Sequence, residues 1–259
     1  MALDGFRSAL SFLTRIPAGS FRFSDTYVLY FSAVSLVTGT IGALPMLLSP
    51  ITGQLAASSL SVALLLIFTG YHHADAVIDC GDALMKTGTV EERRAALKDG
   101  RTGTGGIVTF VILYGALLSA FSSTPFPFFA FLLAEMASKS SMVLSALHGR
   151  PFGRGMGQSF RESLDRRRAP SVLANTLPQL VLALLFPGPG AYSLLVAVAS
   201  SIAASLFLHR AFGGFNGDVL GLTGEIGRIS FAVSFLILAR LHMYPDLCLL
   251  HSLLASSRS

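Results

Sequence analysis

The densest run of chemistry-bearing side chains is His72-His73-Ala74-Asp75-Ala76-Val77-Ile78-Asp79-Cys80-Gly81-Asp82. On a helix of 3.6 residues per turn, Asp75, Asp79 and Asp82 stand at i, i+4 and i+7, within about 60° of one another. Three like charges in one stripe repel, so a compensating cation is expected. Hard divalent cations prefer carboxylate oxygens, and Mg²⁺ commonly takes one or two of them together with substrate phosphate. A solvated helix end, the plainer explanation, would normally mix signs. His72 lies on the stripe and His73 on the opposite face, so helix geometry alone favours His72 as the partner of the acids.

Three further patches carry charge beside glycine. Lys98-Asp99-Gly100-Arg101 sets an acid between two cations and leads into Thr102-Gly103-Thr104-Gly105-Gly106, a glycine-rich helix entry of the kind that favours anions. The short helix before it, Glu91 to Leu97, reads as a solvated face. His148 to Arg161 mixes Arg150, Arg154 and Arg161 with four glycines, a composition suited to a flexible phosphate-binding loop, since guanidinium pairs bidentately with phosphate. Gly213-Gly214-Phe215-Asn216-Gly217-Asp218 precedes a helix on which Asp218 and Glu225 share a face, with Arg228 at i+3 from Glu225. Asp218 could also cap that helix. Glu135 and Lys139 form an i, i+4 pair inside another apolar segment.

The elements that must position these residues are membrane helices. Of 259 residues, 52% are hydrophobic and 13% charged, and the mean hydropathy is +0.65. A soluble domain carries about 25% charge, and disorder requires the opposite composition. Residues 26–74, 102–134 and 169–208 contain no charge. Their turn sequences divide them into helices of about 27–48, 54–74, 104–121 and 127–147, then a fifth and a sixth on either side of Pro187-Gly188-Pro189-Gly190, with a seventh at about 218–239. Residues 241–256 form a short interfacial or marginal eighth segment. Residues 3–16 read as an amphipathic surface helix, not a signal peptide.

The fold expected is therefore an all-α polytopic integral membrane protein with about seven transmembrane helices, one domain over 1–259, and a cytoplasmic N-terminus. With that orientation the inside segments hold 15 of the 19 Lys and Arg, and the three short outside turns hold none. The net charge of +5 then reports topology in a lipid bilayer, with no nucleic acid partner implied. Cys80 and Cys248 are too few for a disulfide framework. All four patches face one compartment. Acids able to hold Mg²⁺ beside basic glycine loops able to hold phosphate suggest phosphoryl-group transfer at the cytoplasmic surface of the cell membrane.

These motifs resemble the cobalamin synthase family, the adenosylcobinamide-GDP ribazoletransferases. Phe12 to Pro17 is similar to the family's Phe-Leu-Thr-Arg-Ile-Pro opening, and His73 to Ala83 to its acidic motif. Lys98, Asp99, Arg101, Gly103, Thr104 and Gly106 match a Lys-Asp-Ser-Arg-Ile-Gly-Thr-x-Gly element. Ser138 to Val143, Arg150 to Phe160 and Gly213 to Glu225 resemble the remaining elements, in order across nearly the whole chain. Ala76 and Ala83 replace glycines, Lys139 stands where Arg is usual, and Asn216 where Thr is usual. The resemblance picks His73 where helix geometry picks His72.

The resemblance implies a Mg²⁺-dependent transferase joining adenosylcobinamide-GDP to α-ribazole or its 5′-phosphate, with release of GMP, late in cobalamin synthesis. It implies Asp75, Asp79, Asp82, Asp218 and Glu225 as metal ligands, with Asp82, Asp99 and His73 as catalytic candidates. Lys98, Arg101, Lys139, Arg150, Arg154 and Asn216 become the candidates for substrate and phosphate binding. Two competing functions are a CDP-alcohol phosphotransferase, whose longer aspartate pattern is absent, and a transporter. A transporter would spread its acids near the midplane with access from both sides.

Overall fold

The computed structural model describes residues 2–19, 24–153, 155–186 and 188–243, and every regular element among them is helical. Arg154 and residues 244–259, which include most of the expected eighth segment, lie outside the described residues. In chain order the helices are α1 Ala2–Leu13, α2 Phe31–Ala43, α3 Ser49–Thr52, α4 Gln54–Phe68, α5 His72–Leu84 and α6 Val90–Ala96. They continue with α7 Thr104–Ser123, α8 Pro127–His148, α9 Met156–Arg166, α10 Arg168–Ala183, α11 Pro189–Phe212 and α12 Gly217–Met243.

Five stretches are long and apolar enough to cross a membrane: 27–52, which joins α2 and α3 through 3-10 turns, and α7, α8, α11 and α12. The bent pair α4 and α5 makes a sixth if taken as one span. The expected fifth helix is α10, whose 16 residues extend about 24 Å. The chain is thus a polytopic helical membrane protein. The first span runs to Thr52, past the expected 48, because Pro50 occupies the first turn of α3, where its missing N–H costs nothing. The reversal falls on Gly53, at φ 80°.

The second expected helix, 54–74, is broken. It stops at Phe68, and α5 leaves it at 90°. Gly70 and Tyr71 adopt φ values of 65° and 62°, the left-handed region that an L-residue such as Tyr71 enters only against steric cost. The Arg15 side chain lies across Gly70, where a Cβ would come within 2.4 Å of it, and the Arg15 amide donates to the Phe68 carbonyl at 2.7 Å. The acidic stripe therefore belongs to a separate 13-residue helix across the end of the bundle, outside the spans.

At the centre runs α8, buried along nearly its whole length. It tolerates close neighbours because its sequence is rich in Ala and Ser, the small residues that let membrane helices approach. Glycines answer from both sides. A Cβ on Gly39 of α2 would meet Leu132 at 2.9 Å, and one on Gly227 of α12 would meet the Ser141 hydroxyl at 2.0 Å. An aromatic cluster of Phe12, Tyr27, Phe31 and Phe160, with centroids 5.3–5.6 Å apart from Phe12 to its neighbours, ties α1 to the start of the first span and to α9.

Candidate active site

Helix α5 is wedged between the first turns of α7 and α12. Gly81 and Gly106 make the α7 contact possible: a Cβ on Gly81 would sit 2.7 Å from the Thr109 hydroxyl, and one on Gly106 would sit 2.5 Å from the Ile78 carbonyl. On the other side, a Cβ on Gly221 would meet the Ala76 methyl at 2.7 Å, so α12 supplies the glycine that α5 lacks at position 76. This packing brings Asp75 and Asp218 to one cavity and leaves Asp79 close enough to feel both charges. Burial, then the charges of Asp75, Asp218 and Asp82, push the Asp79 carboxyl up to about 6.

Next to these acids lies a cavity of about 360 Å³ lined by His72, His73, Asp75, Asp218 and Gly221, and walled by apolar side chains that include Phe12, Met142 and Met156. Phe12 and Leu13 come from α1, so the amphipathic N-terminal helix forms one wall. His73 is buried and His72 exposed. Burial first, then the cations of Lys139 and Arg228, hold the His73 imidazole well below the usual histidine range.

The glycine-rich entry to α7 does accept an anion, but the anion is internal. The Gly103 and Gly106 amides donate to the two carboxylate oxygens of Asp82 at 2.6 and 2.7 Å. Asp82 thus caps α7 from another helix, satisfying N–H groups that have no intrahelical partner. Asn216 plays the equivalent part for α12. Its Oδ1 accepts from the Val219 amide at 3.0 Å, and its Nδ2 donates to Asp218 at 2.7 Å. Asp218 is therefore oriented by the cap rather than serving as one.

Asp99 and Arg101 form a bidentate pair at 2.9 Å on the surface, and Arg101 holds the Asp99 carboxyl below its ordinary range, which makes it a poor proton acceptor. Lys98 and Arg150 are exposed at the same end of the bundle. Arg93 and Arg94 correct the expectation of a solvated face on α6. Arg93 donates to the Ala211 carbonyl at 3.2 Å, and Arg94 donates to Phe212 at 2.6 Å and Gly213 at 3.0 Å while stacking 4.5 Å from the Phe152 ring centre. Both cap the C-terminus of α11, where cations are favoured. The loop after α8 is likewise fastened. The Phe152 amide donates to Phe215 and the Phe215 amide to Arg150, at 2.9 and 3.0 Å, and a Cβ on Gly214 would come within 2.2 Å of the Arg150 carbonyl.

Glu225 and Lys139 are not brought to the acids or to solvent, which corrects their expected roles as metal ligand and phosphate binder. Glu225, Arg228, Glu135 and Lys139 form a fully buried network inside the bundle. Arg228 bridges Glu225 and Glu135, Lys139 donates to Glu135 at 3.1 Å, and the Thr38 hydroxyl donates to Glu135 at 3.0 Å. The fourth arm is the contact of Lys139 Nζ with His73 Nε2, at 2.9 Å. No run of neighbouring residues announces this network, because its members come from α2, α5, α8 and α12. The sequence shows two of its pairs, Glu135 with Lys139 and Glu225 with Arg228, as charges at helical spacing inside apolar segments, and does not show that they join.

Residues 5–236 match the family described as cobalamin-5-phosphate synthase. The chain belongs to that family. A relative named adenosylcobinamide-GDP ribazoletransferase, from Thermoplasma acidophilum, is 31% identical over 98% of this chain and all of its own length. Relatives of the same name from Pyrobaculum calidifontis and Thermococcus kodakarensis are 36% and 35% identical, over 88% and 86% of this chain and 97% and 94% of theirs. No solved structure matches the chain. Among the described residues no three His, Cys, Asp or Glu side chains converge on one point. The donor set still suits a hard cation in kind, because Asp75, Asp79 and Asp218 carry no cationic partner. A pair of these carboxylates completed by water and substrate oxygens is the form in which Mg²⁺ is usually held.

Proposed function

We infer that this chain is a membrane-embedded transferase that joins adenosylcobinamide-GDP to α-ribazole, or its 5′-phosphate, in a late step of cobalamin synthesis. The observation that carries the reading is the pairing of Asp75 with Asp218 on one cavity, within reach of the charge of Asp79, at the end of the bundle that also holds the exposed cations Lys98, Arg101 and Arg150. A ribazole hydroxyl oxygen forms a bond to the phosphorus that carries the cobinamide arm. The bond from that phosphorus to GMP breaks, GMP leaves with the electron pair, and the hydroxyl proton passes to a carboxylate of the acidic group.

A pair drawn from Asp75, Asp79 and Asp218 would hold Mg²⁺, and Asp82 and Asn216 would fix the helices that carry them. The cation, when bound, would neutralise charge on the reacting phosphates. Lys98, Arg101 and Arg150, exposed at that end of the bundle, would meet the diphosphate bridge, and the apolar walls by Phe12, Met142 and Met156 suit the flat ring of the acceptor. The distribution of Lys and Arg supports a cytoplasmic N-terminus and a site facing the cytoplasm. The charges inside the membrane do not favour a transporter, because the two acids and two bases neutralise one another in a closed network.

The test uses detergent-solubilised protein with adenosylcobinamide-GDP and each acceptor, with and without Mg²⁺, following GMP and cobamide by chromatography. The expected result is Mg²⁺-dependent product that is abolished by Asp79→Asn. Full turnover by Asp79→Asn would remove the metal assignment. No product from folded protein with either acceptor would remove the transferase reading.

A further inference from the structure

The buried network ends on a residue that lines the cavity. Its four charged members have side chains at most 2% exposed, and two acids balance two bases. Burying such a set is a poor route to stability, because desolvation offsets the attraction, and ionisable groups inside a membrane mark function. The chain of contacts runs from Glu225 through Arg228 and Glu135 to Lys139 and then His73.

We propose that Lys139 is a positioning residue that acts through His73, fixing the imidazole as the Nδ1–H tautomer so that it serves as a hydrogen-bond donor to ligand in the cavity. An ammonium group has donors and no acceptor. Its contact with Nε2 at 2.9 Å therefore requires that nitrogen to accept, which leaves the ring proton on Nδ1. Glu135, 3.1 Å from the same Nζ, keeps the lysine charged and aimed. The Nδ1 atom faces the turn of α12 at Gly221, where a Cβ would lie 3.5 Å away, and both residues line the cavity. A side chain at Gly221 would cover this N–H. His73 then donates to an oxygen of the bound substrate and does not take the proton of the attacking hydroxyl. This role rests on the transferase reading, whereas the tautomer does not.

Substitution at His73 separates donor from base. The amide nitrogen of Asn lies close to the position of Nδ1, and that of Gln close to Nε2. His73→Asn is expected to stay within about tenfold of the parent in kcat/KM, while His73→Gln and His73→Ala lose on the order of 100-fold, the effect of one hydrogen bond to a charged group. A general base would show losses of about 10²–10⁴-fold in all three. Lys139→Arg, which keeps a donor, should retain activity, and the double variant Glu135→Gln/Lys139→Met, which leaves no unpaired buried charge, should fold yet lose activity as His73→Ala does.

Nitrogen-15 NMR of histidine-labelled protein reads the tautomer directly, with the His73 signal assigned by its loss in His73→Asn. The parent should be protonated at Nδ1, and the double variant should shift toward Nε2. Protonation of His73 at Nε2 in the parent, or His73→Asn as inactive as His73→Ala, would overturn the proposal. An inactive parent with His73 protonated at Nδ1 would instead remove the transferase reading and leave the tautomer standing.

Discussion

At the scale of single residues, Asp79 is an acid of the candidate site whose charge the fold makes costly to hold. Its carboxyl rises from an ordinary 3.8 to about 6, through burial and then through the neighbouring Asp75, Asp218 and Asp82. The folded protein thus binds this proton more tightly than the unfolded chain. The stabilising contribution is complete below the unfolded value and is lost as pH rises through about 6. In EDTA the Tm is expected to fall between about pH 5 and pH 7, and Asp79→Asn should remove most of that fall. Mg²⁺ should raise Tm at the upper end of the range. A parent Tm that climbs over the same interval would contradict the assignment. Asp79 and Asp75 were legible in the sequence as a charged stripe. Asp82, on the same stripe, was not separable from them, because only the approach of α7 shows that its oxygens are taken by two backbone amides.

At the scale of elements, α5 is held by glycine contacts and by that cap, so its failure should look structural. Asp82→Asn replaces one acceptor with a donor that faces a backbone N–H. It should cost about 1–3 kcal/mol of stability, measured by thermal unfolding in detergent. Mn²⁺ binding by the remaining acids, followed by electron paramagnetic resonance, should be retained. An unchanged Tm with lost Mn²⁺ binding would make Asp82 a ligand instead. Gly106→Ala places a methyl 2.5 Å from the Ile78 carbonyl and 2.6 Å from the Asp82 carboxylate, and should cost a similar amount, about 1–3 kcal/mol, by overpacking. Helix boundaries set by turn sequences were readable in advance, as at α7 and α8. The break at Gly70 and Tyr71 was not, because the uncharged stretch continues through it to Ala74 and the bend packs against the remote Arg15.

At the scale of the whole molecule, the arrangement gives the bundle one charge-rich end and one apolar end. The loops with most of the Lys and Arg meet the first turns of α7 and α12, while the opposite end carries the short turn around Gly53 and the Phe-rich contact of Phe126, Phe129 and Phe186. Lys98→Cys and Ile51→Cys, both at exposed positions, test this in sealed vesicles of defined orientation. A membrane-impermeant thiol reagent should reach position 98 only from the cytoplasmic side and position 51 only from the other. Labelling of both from one side would refute the topology.

The sequence by itself determined the membrane class, the succession of apolar helices, the family and the identity of the acids. The membrane class depends on composition, the acidic stripe on spacing along one helix and the family on motifs in order along the chain, and all of these survive any change in how helices pack. Tertiary structure decided which charges are paired inside the bundle and which stay open to the cavity. Lys139 and Glu225 face each other's helices inside the bundle, Arg93 and Arg94 close the end of α11, and Asn216 caps the helix that presents Asp218. It also sets His72 and His73 apart, by burying His73 against Lys139 and leaving His72 exposed. The reason is physical: a charge has the same identity wherever it sits, but its role is set by the donors, acceptors and water that remain available to it, and those come from elements distant in sequence.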